Sequence, residues 1–284
     1  MALKKGINAW SFPADLSVRE SILLAADAGF DGIELSLNAT GELSLESTEE
    51  QLREIRSIAD DEGIALTSLA SGLFWDYPLT STNAETRQRA KDAAKKQLES
   101  AAILGVDTIL IVPGAVGVDF IPGSEVVPYD QAYDNALEGF KSLAPLAEAV
   151  KVAIGIENVW NKFLLSPLEM RSFIDAVDSE YVGSYFDVGN VVYAGYPEHW
   201  ISILNKRIKK VHFKDYRRQA GGLHGFVDLL AGDVNFPEVV KALGDIGYDD
   251  YVIAEMIPPY THHTKQIIYN TSAAMDAILG RTER

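Results

Sequence analysis

The chain has 284 residues, 47% of them hydrophobic, no cysteine, and a formal net charge of −16 from 25 basic and 41 acidic side chains. That length suits one α/β barrel of about 250 residues, and the absence of cysteine excludes disulfides and thiolate metal sites. The acid excess repels nucleic acid, no run of about 18 apolar residues offers a membrane span, and the N-terminus lacks the apolar stretch of a signal peptide; we expect a cytoplasmic protein with neither nucleic-acid nor membrane partners.

Taken in chain order, short apolar runs predict strands at residues 4–10, 32–37, 64–70, 108–112, 153–158, 183–187, 210–214 and 251–256. Apolar residues at three- and four-residue steps predict helices that follow them, at residues 17–28, 49–62, 85–104, 130–150, 167–177, 197–204, 237–246 and 264–279. The first helix opens on Ser17 with Glu20 three residues on, a capping-box spacing, and Pro167, Pro197 and Pro237 suit helix first turns. No linker or low-complexity run interrupts residues 1–284. Strand–helix alternation with continuous apolar strands predicts a parallel sheet covered by helices. Eight such units predict a single-domain (β/α)8 TIM barrel rather than an open doubly wound sheet. The longest loops, residues 113–128 and 215–235, follow the fourth and seventh strands, where a barrel builds its active site.

The last four strands each carry a polar residue at or near the C-terminal end: Glu157 in "VAIGIEN", Asp187 in "GSYFD", His212 in "KKVHFKD" and Glu255 in "YVIAEM". Any one of them alone reads equally well as a helix cap, an ion-pair partner or a core histidine. Together, in a barrel, they converge on one mouth. Buried carboxylates need partners, and clustered like charges need a cation. Three oxygen donors and one nitrogen donor suit one divalent metal ion, Mn2+ foremost, then Mg2+ or Co2+, with Zn2+ less favoured. Gly189, after Asp187, is expected to let the chain turn away over the ligand.

The motifs "GIEN", "FDVGN", "VHFKD" and "IAEM", preceded by "GFDGIEL" and "LGVDTIL", resemble the sugar phosphate isomerase/epimerase superfamily of xylose isomerase-like TIM barrels, from about Gly6 to the C-terminus. "DVGN", "HFKD" and "AGDVNFPEVVKAL" are most similar to its L-xylulose-5-phosphate 3-epimerase and hexulose-phosphate isomerase branch. The resemblance implies that Glu157, Asp187, His212 and Glu255 bind one divalent metal. It also implies that Glu157 and Glu255 are the catalytic acid/base pair of a 3-epimerisation, or an isomerisation, of a small ketose or ketose phosphate through a cis-enediolate. It further implies a homo-oligomer, dimer or tetramer. Free-ketose 3-epimerases have a histidine where this chain has Asn190 and a glutamate where it has Phe163, so the phosphosugar branch is the nearer one.

Further substrate-binding candidates are Asn8 and Trp10 at the end of the first strand, Glu34 in "GIELS", Asn190, and Lys214, Arg217, Arg218 and His224 as possible anion contacts. Arg218 has the spacing from the metal histidine at which relatives place a substrate-contacting arginine. Glu34 would orient a ligand or a substrate hydroxyl, or make a structural ion pair. Trp75 and Tyr77 would wall the site, and His262 and His263 follow the last strand. Two rivals share these residues: a metal-dependent dehydratase of a keto-inositol or keto-sugar, and a non-catalytic sugar- or metal-binding barrel. Only five histidines and the acid excess argue against an endonuclease-like multi-metal site.

Overall fold

The computed structural model describes residues 3–257 and 259–281. Strands β1 (Lys4–Asn8), β2 (Gly32–Ser36), β3 (Ala65–Ala70), β4 (Thr108–Ile111), β5 (Ala153–Glu157), β6 (Val182–Asp187), β7 (Ile208–Phe213) and β10 (Tyr251–Ala254) close into a barrel in the order β1-β10-β7-β6-β5-β4-β3-β2. Every neighbouring pair is parallel. Helices α1 (Val18–Asp27), α2 (Glu49–Glu62), α4 (Ala84–Leu104), α5 (Tyr129–Val150), α6 (Pro167–Val177), α7 (Pro197–Leu204), α8 (Phe236–Asp245) and α9 (Gln266–Ile278) surround it. The eightfold alternation and the closed barrel are as expected. None of the described helices is long and apolar enough to cross a membrane.

Local signals explain the boundaries. Ser17 and Glu20 form the capping box of α1, and Thr48 with Gln51 does the same for α2. Gly63 and Gly105 end α2 and α4 in the left-handed conformation that glycine adopts without a Cβ penalty. The first strand stops at Asn8, two residues short of expectation, because the Asn8 side chain accepts the Trp10 N–H and tightens residues 9–11 into a 3-10 turn. Two elements escaped the apolar pattern: the one-turn helix α3 (Leu73–Asp76) after β3, and a two-strand ribbon, β8 (Asp215–Tyr216) with β9 (Phe226–Val227), inside the long loop after β7.

Strand alternation decides what fills the barrel. Along β7 and just past its end, Lys210, His212 and Lys214 occupy three successive inward layers, all buried. At the bottom, Lys210 pairs with Asp107 at 3.0 Å and also with Asp250. In the middle, Tyr185 lies across the axis. Its ring fits because Gly155 faces it; a Cβ on Gly155 would come within 2.8 Å of the Tyr185 Cβ. The top layer carries the polar strand ends.

Candidate metal and catalytic site

Register brings the four strand-end residues together. Asp187 on β6 is the pairing partner of His212 on β7, and His212 is that of Ile253 on β10, two residues before Glu255. One donor atom from each of Glu157, Asp187, His212 and Glu255 lies within 4.8 Å of the others, and all four residues are buried. His212 Nδ1 stands 3.1 Å from Glu255 Oε2, 3.7 Å from Glu157 Oε1 and 3.9 Å from Asp187 Oδ2.

A divalent ion fits this cluster on the evidence of its own atoms. Asp187 Oδ2, His212 Nδ1 and Glu255 Oε2 are buried and make no hydrogen bond of good geometry, the Lys214 ammonium alone standing near the two carboxylate oxygens, a costly arrangement unless something more binds them. The surrounding protein aims them. The Asn190 N–H donates to Asp187 Oδ1 at 2.7 Å, which leaves Oδ2 for the cluster. Asn158 brackets the Asp187 backbone: its amide donates to the Asp187 carbonyl at 2.8 Å and accepts the Asp187 N–H at 2.9 Å. His212 Nε2 meets Glu34 Oε2 at 2.7 Å. Glu34 also accepts from Asn8, Ser68 and Tyr185, all buried.

The charges set opposite protonation tendencies. Burial pushes the Glu157 carboxyl up to about 7, with the negative Glu255 adding to the rise and His212 opposing it. Burial acts on Glu255 too, but the Lys214 charge and His212 outweigh it and bring Glu255 down to about 2. Lys214 Nζ sits 3.0 Å from Glu255 Oε2 and 3.5 Å from Asp187 Oδ2. Burial works against a charged His212, yet the Glu34 charge, the nearby Glu157 and Glu255 carboxylates and the Glu34 contact hold its pKa well above the ordinary value. Burial raises Asp187 above the usual aspartate range.

Above the cluster opens a cavity of about 620 Å³, lined among others by Trp10, Trp75, Trp160, Phe226 and Ile257. Of the four cluster residues, Glu157 and Glu255 line it; Asp187 and His212 are fully buried beneath. Trp10, Asn190, Lys214 and His224 also face this cavity.

Four substrate-binding candidates are placed elsewhere. Asn8 and Glu34 lie below the cluster with no exposed surface, every carboxylate oxygen of Glu34 taken by protein donors. Glu34 contacts His212 Nε2, and Asn8 in turn donates to Glu34. Arg217 and Arg218 are exposed and turned into their own surroundings: Arg217 donates to the Ala231 carbonyl at 2.8 Å, and Arg218 to that of Val192 at 2.9 Å. Arg218 also lies over the Tyr196 ring. The chain does turn at Gly189, into a 3-10 turn over Gly189–Val191, without a left-handed backbone; what its neighbours need is the missing Cβ, which would come within 2.4 Å of the Lys214 Cβ.

Sequence reasoning passed over Ser68, Tyr185, Asn158 and Asp215. The Asp215 carboxylate of "HFKD" accepts the N–H groups of Tyr216, Gly232 and Val234 at 2.8, 2.9 and 3.1 Å, folding the 215–235 loop over the mouth. A signal for Asn158 and Asp215 was present, since both stand inside the quoted motifs. None marked Ser68; Tyr185 stands inside the quoted "GSYFD", but its hydroxyl meets Ser68 and Glu34 only across the barrel axis.

The family described as Xylose isomerase-like TIM barrel matches residues 22–275. An L-ribulose-5-phosphate 3-epimerase of Salmonella heidelberg is 24% identical over 264 residues, covering 88% of this chain and 86% of that protein. A 2-epi-5-epi-valiolone 7-phosphate 2-epimerase of an Actinoplanes species is 26% identical over 217 residues, 76% of this chain and 73% of its own. A crystal structure of D-psicose 3-epimerase in the presence of D-fructose superposes with a TM-score of 0.80 at 20% identity, over 98% of this chain and all of that one. The match over residues 22–275, most of the barrel, makes this chain a member of the xylose isomerase-like TIM barrel family.

Proposed function

We propose that this protein is a divalent-metal-dependent epimerase of a small ketose or ketose phosphate, inverting the carbon next to the carbonyl. The observation that carries the reading is that Glu157 and Glu255, from β5 and β10 across the mouth, are the two cluster residues that reach the cavity. The names of the relatives support the same class of reaction.

Glu157, Asp187, His212 and Glu255 would hold the ion, Mn2+ first by donor type. Bound there, it would supply Lewis acidity beside the substrate carbonyl. Glu255, kept ionised by Lys214, removes the proton from the carbon beside the carbonyl. The electron pair moves into the enediolate. Glu157, inclined to hold a proton, returns one to the opposite face, and the two carboxyls have exchanged states. Two groups pushed to opposite protonation states suit such an acid/base pair. The Lys214 ammonium, on the same cavity wall, balances the oxyanion charge. Trp10 and Trp75 offer apolar faces that keep water from the intermediate.

The test is deuterium wash-in. Metal-loaded protein in D2O, given a panel of ketoses and their phosphates, should place deuterium at the carbon beside the carbonyl and yield the inverted sugar, with loss on adding a chelator. Release of water and an unsaturated product would instead assign a dehydratase. No exchange from any sugar, with metal bound, would leave a non-catalytic barrel.

A further inference from the structure

The catalytic cavity does not end at the reacting carbon. A second cavity of about 700 Å³ lies beside it. The two share Phe120, Val159, Trp160, Asn190, Leu223 and His224, which form the boundary between them. The far compartment is walled by Phe163, Tyr193 and Trp200, and it lies between the loops that follow β4, β5, β6 and β7. Ligand pockets of ~300 to 1,000 Å³ hold drug-sized molecules; the first cavity alone accommodates a monosaccharide, and the second has no work to do for one.

The walls also carry little positive charge. Among the described residues lining both cavities, Lys214 and Lys162 are the only lysines or arginines. Lys214 is paired with Glu255 and Asp187, and Lys162 with Asp119 at 2.5 Å. Arg217 and Arg218 are spent on backbone carbonyls outside. A phosphate needs charge-assisted donors, and a chain of net charge −16 attracts it poorly. The far compartment instead offers Tyr193, 60% exposed, tilted against Trp160 with ring centroids 6.0 Å apart. Such faces take the apolar side of a ring, while Asn190 and His224 at the boundary offer polar contacts.

We infer that the substrate is an uncharged ketose carrying a second ring, joined through an ether or glycosidic oxygen at the end away from the carbonyl. The keto sugar sits over Glu157 and Glu255, the linkage passes Trp160 and His224, and the second ring lies against Tyr193. This rests on the epimerase reading and narrows its substrate class away from the phosphosugars.

The experiment compares matched substrates on the metal-loaded enzyme. Whichever ketose shows deuterium exchange is tested beside its terminal phosphate, its terminal O-glucosyl derivative and its terminal O-benzyl derivative. We expect a ring-bearing derivative to exceed the parent in kcat/KM by about tenfold, the scale of one aromatic contact, and the phosphate to fall below the parent. The glucosyl and benzyl arms tell a sugar ring from an aryl one. Tyr193→Ala should lower the ratio of ring-bearing to parent kcat/KM, and Tyr193→Phe should retain it. A phosphate that outperforms the parent, or ring-bearing derivatives no better than it, overturns the inference while leaving the epimerase reading intact. Exchange with none of the substrates overturns both.

Discussion

Glu34 and His212 face each other across the barrel interior, Oε2 to Nε2 at 2.7 Å, with neither side chain exposed to solvent. The contact occupies one imidazole nitrogen and turns the other, Nδ1, toward Glu157, Asp187 and Glu255. A carboxylate behind a metal-binding histidine fixes its ring and raises its basicity.

Glu34→Gln keeps the shape of that support and removes its charge. Metal affinity should fall by about tenfold to a hundredfold, the usual effect of losing such a partner. Titration calorimetry with Mn2+ checks it. Unchanged affinity would mean that Glu34 merely fills the interior.

The two cavity-facing carboxylates should be separable from mere metal retention. Glu157→Gln and Glu255→Gln are each expected to reduce deuterium exchange by at least ~100-fold, the lower range for a lost acid or base. Metal content measured on the same samples distinguishes loss of proton transfer from loss of the ion. A fully metal-loaded Gln variant with unimpaired exchange would remove that residue from the acid/base pair.

Metal binding should release protons. In the metal-free protein His212 holds its proton well above the ordinary histidine value and Glu157 titrates at about 7; His212 must lose its proton to ligate, while Glu157 can bind through one carboxyl oxygen and keep a proton on the other. Each binds protons more tightly folded than unfolded, so each stabilises the metal-free fold at low pH. That contribution fades as pH rises, for Glu157 up to about 7 and for His212 through its raised value. The thermal shift produced by Mn2+ should therefore be larger at pH 8 than at pH 6, and calorimetry in buffers of different ionisation enthalpy should register proton release at pH 6. Equal shifts and no proton release would refute it.

Gly189→Ala should destabilise the fold although its backbone conformation suits alanine. The new methyl would stand 2.4 Å from the Lys214 Cβ and 3.0 Å from its carbonyl carbon. Overpacking of this kind costs about 1–3 kcal/mol, readable as a lower urea midpoint with an unchanged slope. Because the clash pushes on Lys214, activity should fall at temperatures where the variant is still folded.

The eight alternations, the helix cap at Ser17, and the polar ends at Glu157, Asp187, His212 and Glu255 were legible in the sequence, because each is written in local spacing and in the contrast of one polar residue against an apolar run. Contacts across the axis were not. Tyr185 reaches Glu34 on β2 and Ser68 on β3 from β6, far away in the chain, and Arg217 and Arg218, plausible anion contacts by spacing, turn outward once Asp215 has folded its loop. Local order determined the barrel and the inventory of its mouth, since periodicity and capping act over a few residues. Which of those residues face the cavity, which support others from below, and how far the cavity extends past Trp160 were decided by strand register and loop packing, which join residues that sequence spacing does not relate.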